Sequence, residues 1–212
     1  MRRPTKHPLP PSPFPTSTDA KRPVAVAITG GIGAGKSAAL EAFARHGAAT
    51  RSSDEIVHGL LRSDPAVLSK IAERFGAEVV GEEGADRAAI ARIVFNDPAE
   101  LEWLEQLLHP KVVREQASWR RHLAESSDPP AVAAVEVPLL YETGGDERFD
   151  AVVVITASPG VRSARRPQTD ARAKRLIPDE EKVRRADYAY VNDGTLDELD
   201  AFVVQVLGEL AG

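Results

Sequence analysis

The chain has 212 residues, a formal net charge of −5 and no cysteine. That length supports one sizeable hydrophobic core with one inserted subdomain, and the missing thiols exclude disulfides, cysteine nucleophiles and zinc sites built on cysteine. The negative balance gives no electrostatic reason to expect a nucleic-acid partner. No apolar run reaches the roughly 18 residues that span a bilayer, and no signal-like apolar segment follows Met1. We therefore expect a cytoplasmic protein that does not enter a membrane, and the composition leaves its oligomeric state open.

Residues 1–23 are rich in proline, serine, threonine and lysine. Such a composition cannot bury enough apolar surface to order itself, so it predicts a disordered tail. A Pro-x-x-Pro ligand for a partner domain is the functional alternative, and an upstream start codon chosen in error would also explain the segment.

The first strong motif is Gly-Gly-Ile-Gly-Ala-Gly-Lys-Ser at residues 30–37. It follows an apolar run at residues 24–29 that predicts a buried parallel strand, and it precedes residues 38–44, which predict a helix. This is the order of a P-loop, whose glycines let the backbone approach phosphate oxygens and whose helix N-terminus holds the anion. Lys36 should reach the β- and γ-phosphates and Ser37 should ligate Mg²⁺. The predicted nucleotide-binding residues here are Gly31, Gly33, Ala34, Gly35, Lys36, Ser37 and Ala38.

A second short strand is predicted at residues 47–53, and Asp54 follows where the next helix should begin. An aspartate at this place is a favoured helix N-cap. It is also where a carboxylate would face bound phosphates, because ligands of open α/β sheets gather at the carboxyl ends of the strands. The pattern by itself favours neither role.

Strand signals stop between residues 55 and 125. Apolar spacing predicts a helix at 66–75 after Pro65, another at 86–95, and a third beginning at 96–98 that is interrupted at His109 and Pro110 and resumes at 112–123. We interpret residues 55–127 as a helical insertion that grips a second substrate, and residues 24–54 with 128–212 as the nucleotide-binding core.

Three more strands are predicted at residues 131–137, 151–156 and 188–191, before an amphipathic helix at 195–210. Glu136 should lie near the nucleotide at the end of the first of these. Between the last two strands, residues 158–182 are crowded with arginine and lysine, which indicates either a solvated helix face or a basic lid that folds over the triphosphate. The order of elements predicts an α/β fold in three layers around a parallel five-stranded sheet.

Together these parts are typical of a small-molecule kinase. Phosphoryl transfer asks a protein mainly for positioning and charge stabilisation, and a carboxylate near the acceptor hydroxyl can take its proton.

Four motifs, in the same order along residues 24–210, resemble those of the dephospho-coenzyme A kinases. They are the Thr-Gly-Gly-Ile-Gly opening of the P-loop, Leu-His-Pro at 108–110, Val-Pro-Leu-Leu-Tyr-Glu at 137–142, and Asn-Asp-Gly at 192–194. The resemblance implies a P-loop fold with a helical coenzyme A-binding insertion and a short basic lid. It also implies transfer of the ATP γ-phosphoryl group to the ribose 3′-hydroxyl of dephospho-coenzyme A, with Mg²⁺.

The resemblance assigns roles residue by residue. Asp54 inherits the role of catalytic base, and Ser52 stands where that family has a first carboxylate. Arg165 would meet the transferred phosphoryl group, with Arg172 next, and Glu136, in place of the usual aspartate, would join Ser37 at the metal. Asn192 would lie near the adenine. The residues implied in binding dephospho-coenzyme A are Asp54, His109, Pro110, Pro138, Leu139 and Leu140.

Two departures and two alternatives accompany these assignments. The lid is about half a dozen residues shorter than usual, and Leu176 stands where glutamine is common. One alternative is a catalytically weak protein that binds nucleotide or coenzyme A; the other is a P-loop kinase for another acceptor, such as a nucleoside. Lys36, Ser37 and Asp54 favour catalysis, and the missing Asn-Lys-x-Asp segment disfavours a GTPase.

Overall fold

The structure, a computed structural model, describes residues 22–165 and 176–211. Most of the predicted tail, and Arg172 with its neighbours, lie outside these ranges. The elements in chain order are β1 (Val24–Gly30), α1 (Lys36–Arg45), β2 (Ala49–Ser52), α2 (Ser53–Ser63), α3 (Pro65–Phe75), β3 (Val80–Gly81), β4 (Gly84–Ala85), α4 (Arg87–Asn96), α5 (Pro98–Ala124), β5 (Val132–Glu136), β6 (Ala151–Thr156), α6 (Pro159–Arg165), α7 (Asp179–Arg185), β7 (Tyr188–Val191) and α8 (Leu196–Ala211). No helix in these ranges is long and apolar enough to cross a membrane.

The chain divides into two compact units. Residues Ser53–Trp119 form one unit, and the described residues on either side of them form the other. The larger unit carries the P-loop and the main sheet, while the smaller unit is built mainly of helices.

The main sheet has five parallel strands in the order β2-β5-β1-β6-β7. Its three central strands are buried on both faces, since β5 and β6 are buried throughout and β1 from Ala25 onward. This is the pattern of strands covered by helices on both sides. On one face, Phe43 of α1 and Val203 of α8 pack with sheet residues such as Ile28, all fully buried. The predicted α/β fold with a five-stranded parallel sheet is confirmed.

Two aspartates define helix starts in the smaller unit. The Asp64 carboxylate accepts the backbone N–H groups of Ala66 and Val67 at 2.9 and 3.0 Å, and Asp86 caps α4 in the same way. Each bond satisfies an amide that the helix itself leaves unpaired. The buried residues of this unit are Ile56, Leu60, Leu61, Val67, Ile71, Val79, Ile90, Leu108 and Val112.

The structure corrects two predictions for this unit. First, the segment predicted to lack strands contains the short antiparallel pair β3 and β4; strands of two residues are too short to show a periodicity. Second, α5 runs without a break through His109 and Pro110. A proline inside a helix costs about 3 kcal/mol, but Leu108 and Val112, on either side of it, are both buried in the same cluster, and this burial holds the helix together.

Candidate active site

The P-loop joins the C-terminal end of β1 to the start of α1. Gly33 and Gly35 have φ angles of +74° and +96°, a region that side chains other than glycine rarely adopt. Gly35 stands immediately before α1, and a Cβ there would collide with the amide nitrogen of Asn192. The loop therefore needs glycine at this position both for its backbone and for its neighbour.

The first residues of α1 carry the predicted chemistry. The Lys36 Nζ donates to the Gly31 carbonyl at 3.0 Å, so its ammonium curls back over the loop. The Ser37 hydroxyl donates to Oε2 of Glu136 at 3.1 Å. Glu136 ends β5 and is only 7% exposed, and its register partner on β2 is Ser52. The structure thus places the Ser37 hydroxyl against the Glu136 carboxylate at the end of β5, one residue after the lysine of the loop.

Ser37 and Glu136 supply hard oxygen donors, the kind that Mg²⁺ prefers. Within the described ranges, no group of three or more histidine, aspartate or glutamate side chains could hold a metal ion. A Mg²⁺ ion that accompanies a nucleotide needs only one or two protein ligands, since phosphates and waters complete its octahedron. The residues present fit an ion of that kind.

Arg165 and Asn192 converge on one carbonyl of the loop. The Asn192 amide donates to the Ala34 oxygen at 2.8 Å, and Arg165 Nη1 donates to the same oxygen at 3.4 Å. Asn192 is 3% exposed, and its own backbone N–H is bound to Thr156 at 2.7 Å. In this geometry Asn192 braces the P-loop, and Arg165, at the end of α6, approaches the loop from outside.

Sequence reasoning did not find the ion pair between Arg162 and Asp179. Arg162 Nη1 lies 2.9 Å from Asp179 Oδ2, and both groups lie against Gly31 of the P-loop. Arg162 was counted only as one charge of the basic segment, and Asp179 carried no motif. Only the packing of α6 and α7 brings them together.

Lys182, the last residue of the basic segment 158–182, fits neither interpretation of that segment. Its side chain is fully buried, and its Nζ lies 2.8 Å from Oε1 of Glu142. Glu142 Oε1 also accepts the backbone N–H of Ile177 at 3.0 Å. Lys182 is therefore neither on a solvated face nor free to reach a nucleotide, because its charge is paired inside the protein.

The segment after β5 contributes both buried and accessible side chains. Leu140 is fully buried, so it belongs to the core and offers no surface to a ligand. Pro138 and Leu139 are half-buried, and the Pro138 carbonyl accepts a long bond of 3.5 Å from the Thr29 hydroxyl. Tyr141, which follows Leu140, has its pKa raised by burial. The Arg185 guanidinium lies over its ring, 4.2 Å from the ring centre.

The remaining predicted site residues belong to the smaller unit. Asp54 is exposed in the first turn of α2, which begins at Ser53, so it does not stand before the helix as an N-cap would. Ser53 is buried, and its hydroxyl accepts a hydrogen bond from Gln116 at 3.0 Å. His109 and Pro110 are exposed on α5. These positions leave Asp54, His109 and Pro110 accessible to a ligand.

A parallel sheet with a P-loop after its first strand, a lysine and a serine at the helix start, and a carboxylate on the neighbouring strand define a P-loop kinase. The family model for dephospho-CoA kinase matches residues 24–198 of the chain. A dephospho-CoA kinase of Chlorobaculum tepidum is 35% identical over 203 residues, which cover 90% of this chain and 97% of the relative. The chain belongs to the dephospho-CoA kinase family.

Two solved structures are similar to this chain over most of its length. The TT1252 protein of Thermus thermophilus superimposes with a TM-score of 0.71 at 30% identity, covering 90% of this chain and all of that one. A dephospho-CoA kinase from Campylobacter jejuni gives a TM-score of 0.63 at 26% identity, covering 88% of this chain and 96% of that one.

Proposed function

We propose that this protein transfers the γ-phosphoryl group of ATP to the ribose 3′-hydroxyl of dephospho-coenzyme A, which yields coenzyme A and ADP, and that it does so in the cytoplasm. The observation that carries the proposal is the arrangement of Lys36, Ser37 and Glu136 around the P-loop of a chain that belongs to this family. A positive group, a hydroxyl and a carboxylate at these places match what binding of a metal-bound triphosphate requires.

Lys36 is the proposed ligand of the β- and γ-phosphates. Its ammonium lies on the loop carbonyl of Gly31 at 3.0 Å, and a phosphate oxygen would replace this neutral acceptor with a charged and stronger one. The loop amides and the N-terminus of α1 add further donors for the anion. Charge that builds up on the transferred group is then stabilised by groups already in place.

Ser37 and Glu136 are the proposed holders of Mg²⁺. When bound, the ion would neutralise phosphate charge and align the β- and γ-phosphates. Glu136 is nearly buried and already bonded to the Ser37 hydroxyl, so both oxygens are held in place before any ligand arrives. The extra methylene of glutamate, relative to the aspartate usual in the family, is accommodated by this direct contact.

Asp54 is the proposed base that takes the proton of the acceptor hydroxyl. Its exposure in the first turn of α2 supports this role, because a base must reach its substrate. We propose that residues 55–127 bind dephospho-coenzyme A, with the exposed His109 and Pro110 among the contacts. Pro138 and Leu139, which are outside that range in the sequence, are proposed as further contacts.

Arg165 is the proposed residue that meets the transferred phosphoryl group. Its guanidinium already lies within 3.4 Å of the Ala34 carbonyl, and an arginine that stabilises developing charge can contribute roughly 1,000-fold or more to turnover. Arg172, the second arginine assigned to the phosphates, lies outside the described residues, and its role rests on the sequence. Asn192 is proposed to contribute to nucleotide binding by holding the P-loop in place through its hydrogen bond to the Ala34 carbonyl.

The test is ADP release from ATP and Mg²⁺ with dephospho-coenzyme A, adenosine or AMP offered as separate acceptors, with the product of each reaction identified by mass. We expect turnover with dephospho-coenzyme A alone and a product one phosphate heavier. Turnover with adenosine or AMP but not with dephospho-coenzyme A would refute the proposal that dephospho-coenzyme A is the acceptor. Binding of ATP and dephospho-coenzyme A by calorimetry without any turnover would mean that the chain is a binding protein and not an enzyme.

A further inference from the structure

The ion pair of Arg162 and Asp179 links two separate helices. Arg162 belongs to α6 and Asp179 is the first residue of α7. Their side chains are 34% and 19% exposed, and Arg162 Nη1 donates to Asp179 Oδ2 at 2.9 Å. A pair this accessible gains little stability from its charges, so stability does not account for its position.

That position is on the P-loop itself. A Cβ on Gly31 would lie 2.9 Å from Arg162 Nη1 and 3.0 Å from both carboxylate oxygens of Asp179. A Cβ on Gly33 would lie 3.2 Å from the backbone oxygen of Arg162. Because Gly31 and Gly33 have no side chain, α6 and the Arg162 guanidinium can approach the loop this closely. The carbonyl of Gly31 is also the group that accepts the hydrogen bond from Lys36.

We infer that Arg162 is a phosphate-binding residue of the nucleotide site, and that Asp179 is the carboxylate that holds it over the P-loop until a nucleotide binds. This inference rests on the proposed use of ATP. A guanidinium carries five N–H donors, so Arg162 can bond a phosphate oxygen while it turns away from Asp179. A triphosphate carries more negative charge than one carboxylate and is the stronger partner.

The two members of the pair then have opposite effects on nucleotide affinity. Arg162 attracts the phosphates, whereas Asp179 competes for Arg162 and repels them. A pair that only tied α6 to α7 would behave differently, because removing either partner would loosen the same contact and would change affinity in the same direction.

Calorimetric titration with ATP, without any acceptor, tests the inference. Arg162→Gln should weaken ATP binding roughly tenfold, Arg162→Lys should weaken it less, and Asp179→Asn should strengthen it about two- to fivefold. Binding of adenosine, which has no phosphate, should not change in any variant. Arg184→Gln, which removes an exposed arginine from the same helix as Asp179, is the matched control and should bind ATP as the wild type does.

Two results would overturn the inference while leaving the proposed function intact. One is wild-type ATP affinity in Arg162→Gln; the other is an equal loss of affinity in Arg162→Gln and Asp179→Asn. Failure of the wild-type protein itself to bind ATP would instead refute the proposed function. Equal melting temperatures of the variants would show that a change in affinity does not come from unfolding.

Discussion

The ion pair of Lys182 and Glu142 predicts a large loss of stability when one partner is removed. Lys182 has no exposed surface, and Glu142 is 11% exposed. Their Nζ and Oε1 atoms lie 2.8 Å apart, and the second carboxylate oxygen of Glu142 has no hydrogen-bond partner among the described residues. Lys182→Met keeps most of the apolar stem but removes the charge, so it leaves a carboxylate with no counterion in the interior.

Leaving a buried charge unpaired costs about 3–5 kcal/mol. Since Glu142 retains a little exposure and still accepts the Ile177 N–H, we expect a loss of about 3 kcal/mol in the free energy of unfolding. For a chain of this size, that loss should lower the melting temperature by about 6–12 °C. The double variant Glu142→Gln/Lys182→Met removes both charges and should recover much of the loss, because a neutral amide can still accept the Ile177 bond.

Thermal unfolding followed by far-UV circular dichroism measures the effect. Tryptophan emission would not suffice, since Trp103 and Trp119 both belong to the smaller unit, Ser53–Trp119. The matched control is Lys70→Met, which breaks an ion pair whose side chains are 59% and 69% exposed and should cost no more than about 0.5 kcal/mol. A melting temperature of Lys182→Met close to that of the control, or a double variant less stable than the single one, would refute the reasoning.

Three further predictions concern catalysis and the smaller unit. Lys36→Ala should abolish ADP release, because the charge that follows the migrating phosphoryl group is lost, and wild-type rates would refute the P-loop mechanism. Asp54→Asn should lower turnover by about 100- to 10,000-fold with nearly unchanged ATP affinity; normal turnover would show that Asp54 is not the base. The Lys111 side chain, followed by the Val67 and Ala66 amides, holds the pKa of Asp64 below its usual range. The stability from Asp64 is therefore fully present above its unfolded pKa of about 3.9 and is lost as the pH falls through the lower folded value. Asp64→Ala should lower the free energy of unfolding by about 1 kcal/mol near neutral pH and should make that free energy fall less steeply below about pH 4. Tryptophan emission follows the unfolding. A dependence on pH below about 4 that is the same as in the wild type would contradict the assignment.

The elements that the sequence predicted well are those with a local cause. The strands at residues 151–156 and 188–191 have the same bounds in the structure, because β-branched and aromatic residues favour the extended backbone of a sheet. Pro65 and Asp86 marked helix starts through their own backbone and side-chain chemistry. The P-loop was equally clear, because its glycines and the Lys-Ser pair have the spacing of the motif, and Gly33 and Gly35 adopt φ angles that other residues rarely take.

Contacts between segments that are far apart in the chain could not be predicted from the sequence. A basic residue in a charged stretch is usually exposed, and the sequence around Lys182 does not indicate that it pairs with Glu142 in the interior. The same is true of Arg162 and Asp179, whose meeting on Gly31 depends on how α6 and α7 pack. Motif and periodicity determined the strands of the main sheet, the P-loop and its lysine, because each follows from the conformational limits of a few neighbouring residues. Tertiary structure alone decided which charges are buried, which are paired and which lie against the P-loop, because the free energy of a charge depends on the groups that the fold brings around it.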